Sequence, residues 1–197
     1  MKVKKYFIIG MISLIVFGVL LPQPIQALFV YTPLKSYFDS HLVLLCLLVG
    51  VVQGISEECG YYAVMKKIYA KDKSKILPKW FGFGRAALHT MFDLCIVMFT
   101  VMSLGNRVIA IISRTVGGGA LLALTHLDFM AIKNKRLSIL VISVVLHWIM
   151  NGMVYANELE LLHFSDSLFI AGYSIFVIIL SELIWRYIKK IERKEIT

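Results

Sequence analysis

Several ionisable side chains lie inside apolar stretches of the chain, where they could take part in acid–base chemistry. Glu57 and Glu58 are adjacent in one apolar run, and His89 and His147 lie in two others. Asn151 follows His147 by four residues, so we expect both on one face of a helix. Two neighbouring carboxylates in a medium of low dielectric do not both ionise readily, so one of them is a candidate general base.

These residues have the functional groups that peptide hydrolysis needs. A carboxylate and an imidazole can hold and deprotonate a water molecule, and an amide such as that of Asn151 can stabilise a developing oxyanion. Three further side chains are candidates for a supporting role: Arg85, Asp93 and His126. A structural alternative stays open, because intramembrane polar residues also join helices to one another, and Arg85, His89 and Asp93 could form a self-contained ladder.

The composition predicts that membrane-spanning helices position these groups. The chain has 197 residues, of which 59% are hydrophobic and 17% charged, and its mean hydropathy is +0.79. Soluble domains have about 25% charged residues. This composition excludes a soluble globular enzyme and a disordered chain. We expect an all-α polytopic protein with one integral membrane domain, residues 1–197.

Six apolar runs are long enough, or nearly so, to span a bilayer. They are residues 6–21, 41–69, 80–104, 108–132, 137–156 and 168–188, with Pro22 and Pro24 ending the first. Most of the 21 Lys and Arg residues fall in segments that this arrangement places on one side. The positive-inside rule then predicts a multi-pass protein of the cytoplasmic membrane with both termini in the cytoplasm. The first run has a second interpretation, a secretory signal cleaved after Ala27.

The net charge of +9 would favour a nucleic-acid partner in a soluble protein. Here the cations lie in short clusters between apolar runs, so we expect the lipid bilayer as partner and no nucleic acid. At about 1.5 Å of rise per residue, Glu57, Glu58, His89 and His147 lie roughly 13–17 Å from the cytoplasmic ends of their helices. We therefore expect them to meet at one level, with His126 somewhat closer to the cytoplasm.

The motifs around these residues resemble those of a known superfamily. Gly54-Ile55-Ser56-Glu57-Glu58 resembles the EExxxR motif of the CPBP superfamily of intramembrane proteases, which includes the CAAX prenyl endopeptidases. His89 corresponds to the FxxxH motif, and His147 with Asn151 to a His followed four residues later by Asn. The resemblance covers residues 51–155. Glu57-Glu58-Cys59-Gly60-Tyr61-Tyr62 is closer to the EExGRY motif of the YhfC-like branch, a relative of the PrsW-like proteases.

The resemblance implies a glutamic intramembrane endopeptidase. Glu57 or Glu58 would activate water, His89 and His147 would assist, and Asn151 would contribute to the oxyanion site. The substrate would be a membrane-embedded or amphipathic peptide or protein. The chain departs from the motifs at two points: Tyr61 or Tyr62 stands where the motif has Arg, and Arg85 stands where FxxxH has Phe. Arg85 is therefore a candidate for the missing cation.

Other functions remain open on the sequence. A catalytically inactive relative could act in bacteriocin immunity or binding. A small transporter component is a second alternative, in which Gly117-Gly118-Gly119 would break its helix. A lipid-modifying enzyme is a third, with Arg85 and Arg114 holding phosphate. Glu and His side chains also suit zinc, but the chain has no HExxH motif and no Cys-rich spacing, so we expect no metal and no other cofactor.

Overall fold

The computed structural model describes residues 2–99, 104–162 and 165–194, and within these ranges the chain is helical without strands. The all-α polytopic architecture is confirmed. In chain order the elements are α1 (Lys2–Ser13), a π-helical segment (Leu14–Leu20), α2 (Pro22–Tyr31), α3 (Leu34–Asp39), α4 (Leu42–Asp72), α5 (Leu77–Phe99), α6 (Leu104–Asn134), α7 (Leu137–Glu158) and α8 (Asp166–Lys194).

Six of the described helical stretches are long and apolar enough to cross a membrane. Each has between 21 and 31 residues, and about 20 suffice for a bilayer core. An even number of crossings places both termini on the same side. The spans are Lys2–Phe29, Leu42–Asp72, Leu77–Phe99, Arg107–Asn134, Leu137–Asn157 and Asp166–Arg193.

The first span is longer than the sequence predicts, because Pro22 and Pro24 do not end it. The helix widens into π-helical turns before the prolines, and the Leu21 amide donates to the Val16 carbonyl five residues earlier, at 2.9 Å. Pro22 then occupies the first turn of α2, where a backbone N–H has no intrahelical partner and its loss costs little. The prediction that the prolines end the first span is therefore wrong, because the apolar helical stretch continues to Phe29.

The first span packs as an integral part of the bundle, in close contact with α5. A Cβ on Gly84 would lie 1.9 Å from the carbonyl oxygen of Phe7, and one on Gly10 would lie 2.1 Å from that of Phe81. The two backbones can approach this closely only because both positions lack a side chain. At the beginning of α1, Lys2 forms an ion pair of 2.5 Å with Asp72 on α4, and the buried Tyr6 hydroxyl also donates to Asp72.

A second close contact joins α4 to α7 and sets the position of the candidate site. Gly50 and Gly54 form a small-xxx-small pair on α4 that faces α7. A Cβ on Gly54 would lie 2.9 Å from the Val144 carbonyl oxygen, and one on Gly50 would lie 3.0 Å from that of Trp148. α6 packs against α4, α5, α7 and α8 and continues unbroken through Gly117–Gly119, contrary to the helix break that the transporter alternative requires.

Candidate active site

The centre of the site is Arg85 on α5, whose side chain is completely buried. Its guanidinium donates to Glu58 Oε1 at 2.6 Å and to Glu57 Oε2 at 3.2 Å. It also donates to Thr125 Oγ1 on α6 at 3.3 Å and lies over the Tyr61 ring, 4.0 Å from the ring centroid. One cation therefore links both glutamates of α4 to α5 and α6. Arg85 neither extends to the membrane surface nor takes part in a ladder along α5.

Glu58 is surrounded by donors from three other side chains. It accepts hydrogen bonds from Arg85, from Ser143 Oγ at 3.2 Å and from His147 Nδ1. Since an ionised carboxylate can only accept, Nδ1 of His147 must carry a hydrogen in this arrangement. The other ring nitrogen, Nε2, then faces Glu57, 3.8 Å from its Oε1. Glu58 thus fixes both the orientation and the tautomer of His147.

Glu57 bonds to the same terminal nitrogen of Arg85 as Glu58 and has further partners from α4 itself. Tyr61, one turn later, donates its hydroxyl to Oε2 at 2.8 Å, and the Gln53 amide, one turn earlier, donates to Oε1 at 2.5 Å. The same amide donates to the Gly18 carbonyl at 2.8 Å, so the π-helical segment is tied to this part of the site. Glu57 is therefore held between its own helix and the first span.

Helical spacing explains why these residues meet. Glu58 follows Gly54 by four residues, so it lies on the face of α4 that Gly54 presses against α7. Ser143 and His147 are also four residues apart and lie on the matching face of α7. At about 1.5 Å per residue, Arg85 is roughly 12 Å and His147 roughly 15 Å from the beginnings of α5 and α7. The two helices therefore present their polar groups at a similar level.

Burial makes the electrostatics of this cluster strong. Glu57, Glu58, Arg85 and His147 are each no more than 2% exposed. Taking such charges out of water is costly, and only close pairing with good hydrogen bonds offsets that cost. Removing one partner would leave an uncompensated charge in an apolar surrounding. The cluster is therefore a group of mutually dependent residues drawn from α4, α5, α6 and α7.

His89 does not join this cluster, contrary to the prediction. Its Nδ1 pairs with Asp93 Oδ2 at 3.1 Å on the same helix, and Asp93 also faces Arg114 Nη1 at 3.7 Å. His89 lies one turn beyond Arg85 on α5, about 6 Å farther along the helix axis, and its ring pairs with Asp93 instead of reaching the glutamates. His89 is 35% exposed, while Arg85 is fully buried. His89 and Asp93 thus belong to a separate polar group between α5 and α6.

Of the remaining predicted residues, His126 lies outside the cluster and Asn151 lies one turn from His147. His126, predicted to support the site, bonds through Nδ1 to the Leu122 carbonyl at 3.0 Å and packs on the Trp185 ring, with centroids 4.7 Å apart. It therefore takes no part in the glutamate cluster. Asn151 lies one turn beyond His147 on α7, and its buried amide nitrogen has no hydrogen-bond partner among the described residues. Its donor capacity is thus unused.

The sequence analysis missed several residues that the structure places in the cluster. Tyr61, Gln53, Thr125 and Ser143 contact its charged groups directly. A fifth residue, Asp128, is fully buried beside Glu58. The i, i+4 spacing of Gln53, Glu57 and Tyr61 was the available signal for α4. For α6 and α7 no sequence pattern specifies which face turns inward.

The glutamates are closed off in this arrangement. Two grooves, of about 980 and 670 Å³, are apolar and are lined by neither Glu57 nor Glu58. The larger lies between α4, α7 and α8, beside Trp148 and Gly152. The nearest cover over Glu57 is the π-helical segment, where a Cβ on Gly18 would lie 3.4 Å from the Glu57 carboxyl carbon. Access to Glu57 therefore requires movement of a covering helix.

The described residues do not provide a metal centre. Among them, no group of three or more His, Cys, Asp or Glu side chains has a geometry that could hold a metal ion. The guanidinium of Arg85 already lies between the two glutamates and His147, where it balances their charge. The candidate site is accordingly built around an organic cation.

Searches against protein families, curated proteins and solved structures find no match for this chain. The resemblance to the CPBP and YhfC-like proteases accordingly stays a prediction from motifs.

Proposed function

We propose that this chain is a glutamic intramembrane endopeptidase of the cytoplasmic membrane, which cleaves a membrane-embedded or amphipathic peptide or protein. The observation that carries the proposal is the buried grouping of both motif glutamates with the motif histidine, His147, around one cation. Arg85 supplies from α5 the positive charge that the Glu-Glu motif lacks on α4. The CPBP and YhfC-like motifs have an Arg after the two glutamates, where this chain has Tyr61 or Tyr62. A cation from α5 in that place supports the proposal.

The geometry favours Glu57 as the base and Glu58 as a positioning residue. Glu58 is occupied by Arg85, Ser143 and His147 and holds the imidazole in place. The 3.8 Å gap between Glu57 Oε1 and His147 Nε2 is too long for a direct hydrogen bond, and a water molecule beside it can bond to both atoms. A candidate position for the attacking water is therefore next to Glu57.

The reaction follows from these positions. As the water oxygen bonds to the carbonyl carbon of the scissile peptide, its proton passes to Glu57 and the carbonyl electron pair moves to oxygen. The unused amide of Asn151 is the candidate donor to that oxyanion. When the electron pair returns, the carbon–nitrogen bond breaks and the leaving nitrogen takes the proton from Glu57. One water is consumed, and a new carboxyl and a new amino terminus are formed.

The closed state of the cluster favours one alternative, a catalytically inactive relative that acts by binding, as in bacteriocin immunity. Arg85 contacts both glutamates, and neither glutamate is more than 2% exposed. In such a protein the charged cluster would serve only to join α4, α5, α6 and α7. Its function would survive loss of the Glu57 carboxylate provided that the fold persists.

A comparison of new peptide termini separates the two functions. Membranes from cells that express the wild-type chain, Glu57→Gln or Glu182→Gln are analysed by mass spectrometry for newly formed amino termini. Glu182 is a matched control because it is exposed and, among the residues that the structure describes, forms its ion pair with Arg186 on its own helix, at 2.8 Å. We expect a set of termini that appears with the wild type and Glu182→Gln and is absent with Glu57→Gln. The same termini in all three samples would contradict the proposed protease activity.

A further inference from the structure

Asp128 on α6 is a buried acid for which the proposed reaction has no use. Its side chain is fully inaccessible, and neither carboxyl oxygen accepts a hydrogen bond from any described donor. It lies three residues beyond Thr125, on the same face of α6, and Thr125 accepts a hydrogen bond from Arg85 at 3.3 Å. The groups around Asp128 are Glu58 on α4, Arg85 on α5 and Ser143 on α7. It thus faces the charged cluster from the fourth helix of the site.

None of these neighbours donates a hydrogen bond to Asp128, and the Nε–H of Arg85 has no acceptor among the described residues. Ser143 donates its hydroxyl to Glu58 at 3.2 Å, and the terminal nitrogens of Arg85 donate to Glu57, Glu58 and Thr125. An ionised Glu58 has no hydrogen to give. An ionised Asp128 would therefore be a third buried carboxylate, without a donor, directly beside another carboxylate. Buried charges without partners are strongly unfavourable, and adjacent carboxyl groups share a proton instead.

We infer that Asp128 carries a proton and donates its O–H to Glu58, as a positioning residue of the candidate site. A neutral Asp128 leaves two negative charges, on Glu57 and Glu58, beside the guanidinium of Arg85. The ionisable groups that face Asp128 directly are Glu58 and Arg85, and His147 acts on it through Glu58.

The consequence for the site is a fixed Glu58. With its carboxylate held by Asp128, Ser143 and Arg85, Glu58 keeps His147 oriented so that Nε2 faces Glu57. This effect on catalysis rests on the proposed endopeptidase activity, whereas the protonation of Asp128 does not. The two statements therefore need separate measurements.

Infrared spectroscopy of the purified full-length protein in liposomes tests the protonation. A protonated buried carboxyl absorbs apart from ionised carboxylates and shifts in heavy water. We expect this band in the wild type at neutral pH and its loss in Asp128→Asn. The matched control is Asp93→Asn, which should retain the band, because Asp93 pairs with His89 and Arg114 outside the cluster. The inference is overturned if the wild type lacks the band, or if the band persists unchanged in Asp128→Asn.

Cleavage by the same preparations tests the positioning role. Asp128→Asn keeps a neutral hydrogen-bond donor and should retain most of the wild-type kcat. Asp128→Leu removes the donor, misplaces His147 through Glu58, and should lower kcat by about tenfold or more with little change in KM. Full activity in Asp128→Leu would refute the positioning role. If the wild type itself cleaves nothing, the proposed function fails, and the infrared band still decides the state of Asp128.

Discussion

Replacing Arg85 with methionine should lower the free energy of unfolding by about 3–5 kcal/mol. The substitution keeps an apolar side chain of similar length but removes the guanidinium that both Glu57 and Glu58 contact. Those carboxylates are at most 2% exposed, so water cannot replace the lost donor. The expected size is therefore that of a broken buried ion pair, well above the roughly 0–1 kcal/mol of a surface pair.

A double-mutant cycle isolates the pair from general packing effects. Glu58→Gln removes the charge of the closer partner, which lies 2.6 Å from the guanidinium. In the double variant Arg85→Met with Glu58→Gln, fewer charges are left unpaired than in Arg85→Met alone. We therefore expect a coupling free energy of about 1–3 kcal/mol between the two positions.

The assay is reversible unfolding in mixed micelles, followed by tryptophan fluorescence. Trp148 is a suitable reporter because it packs against Gly50 at the contact of α4 with α7. Arg186→Met is the matched control, since Arg186 is 73% exposed and its loss should change stability by no more than about 0.5 kcal/mol. The reasoning is refuted if Arg85→Met changes stability no more than this control, or if the effects in the cycle simply add.

Two further predictions test the packing and the assignment of the histidines. Gly84→Ala places a methyl group against the Phe7 carbonyl and should lower the free energy of unfolding by about 1–3 kcal/mol. In the control Gly172→Ala the methyl group meets no atom within 4 Å, so this variant should be as stable as the wild type or slightly more stable. Equal effects would contradict the close approach of α1 to α5. His147→Ala should reduce the rate of peptide cleavage at least about a hundredfold, because His147 contacts Glu58. His89→Ala should retain most of the wild-type rate, because His89 pairs with Asp93 instead. The reverse order in the cleavage assay would contradict the site as described.

Hydropathy and helical rise were sufficient to predict the main architecture. The number of spans follows from the length of the apolar runs, and the common level of the glutamates with His147 follows from counting residues. The role of Arg85 could not be settled in this way. Whether an arginine extends to the membrane surface, bonds along its own helix or reaches a neighbouring helix depends on which face of α5 turns inward.

The errors have separate physical origins. His89 was expected in the cluster because residue counting gives the depth of a side chain but not its direction around the helix axis. Pro22 and Pro24 were expected to end the first span, because a π-helical segment that accommodates them has no recognisable sequence pattern. Asp128 was visible as an intramembrane acid, but its position beside Glu58 depends on the packing of α4 against α6.

The most direct test of the central claim is hydrolysis by purified protein in liposomes prepared in water enriched in oxygen-18. The substrate is the segment around a cleavage site found in the membrane comparison, and the products are weighed by mass spectrometry. The account predicts that the wild type and Glu182→Gln form a product whose new carboxyl group contains one heavy oxygen. It predicts that Glu57→Gln, in a preparation shown to be folded, forms none. Cleavage by Glu57→Gln at the wild-type rate would contradict it.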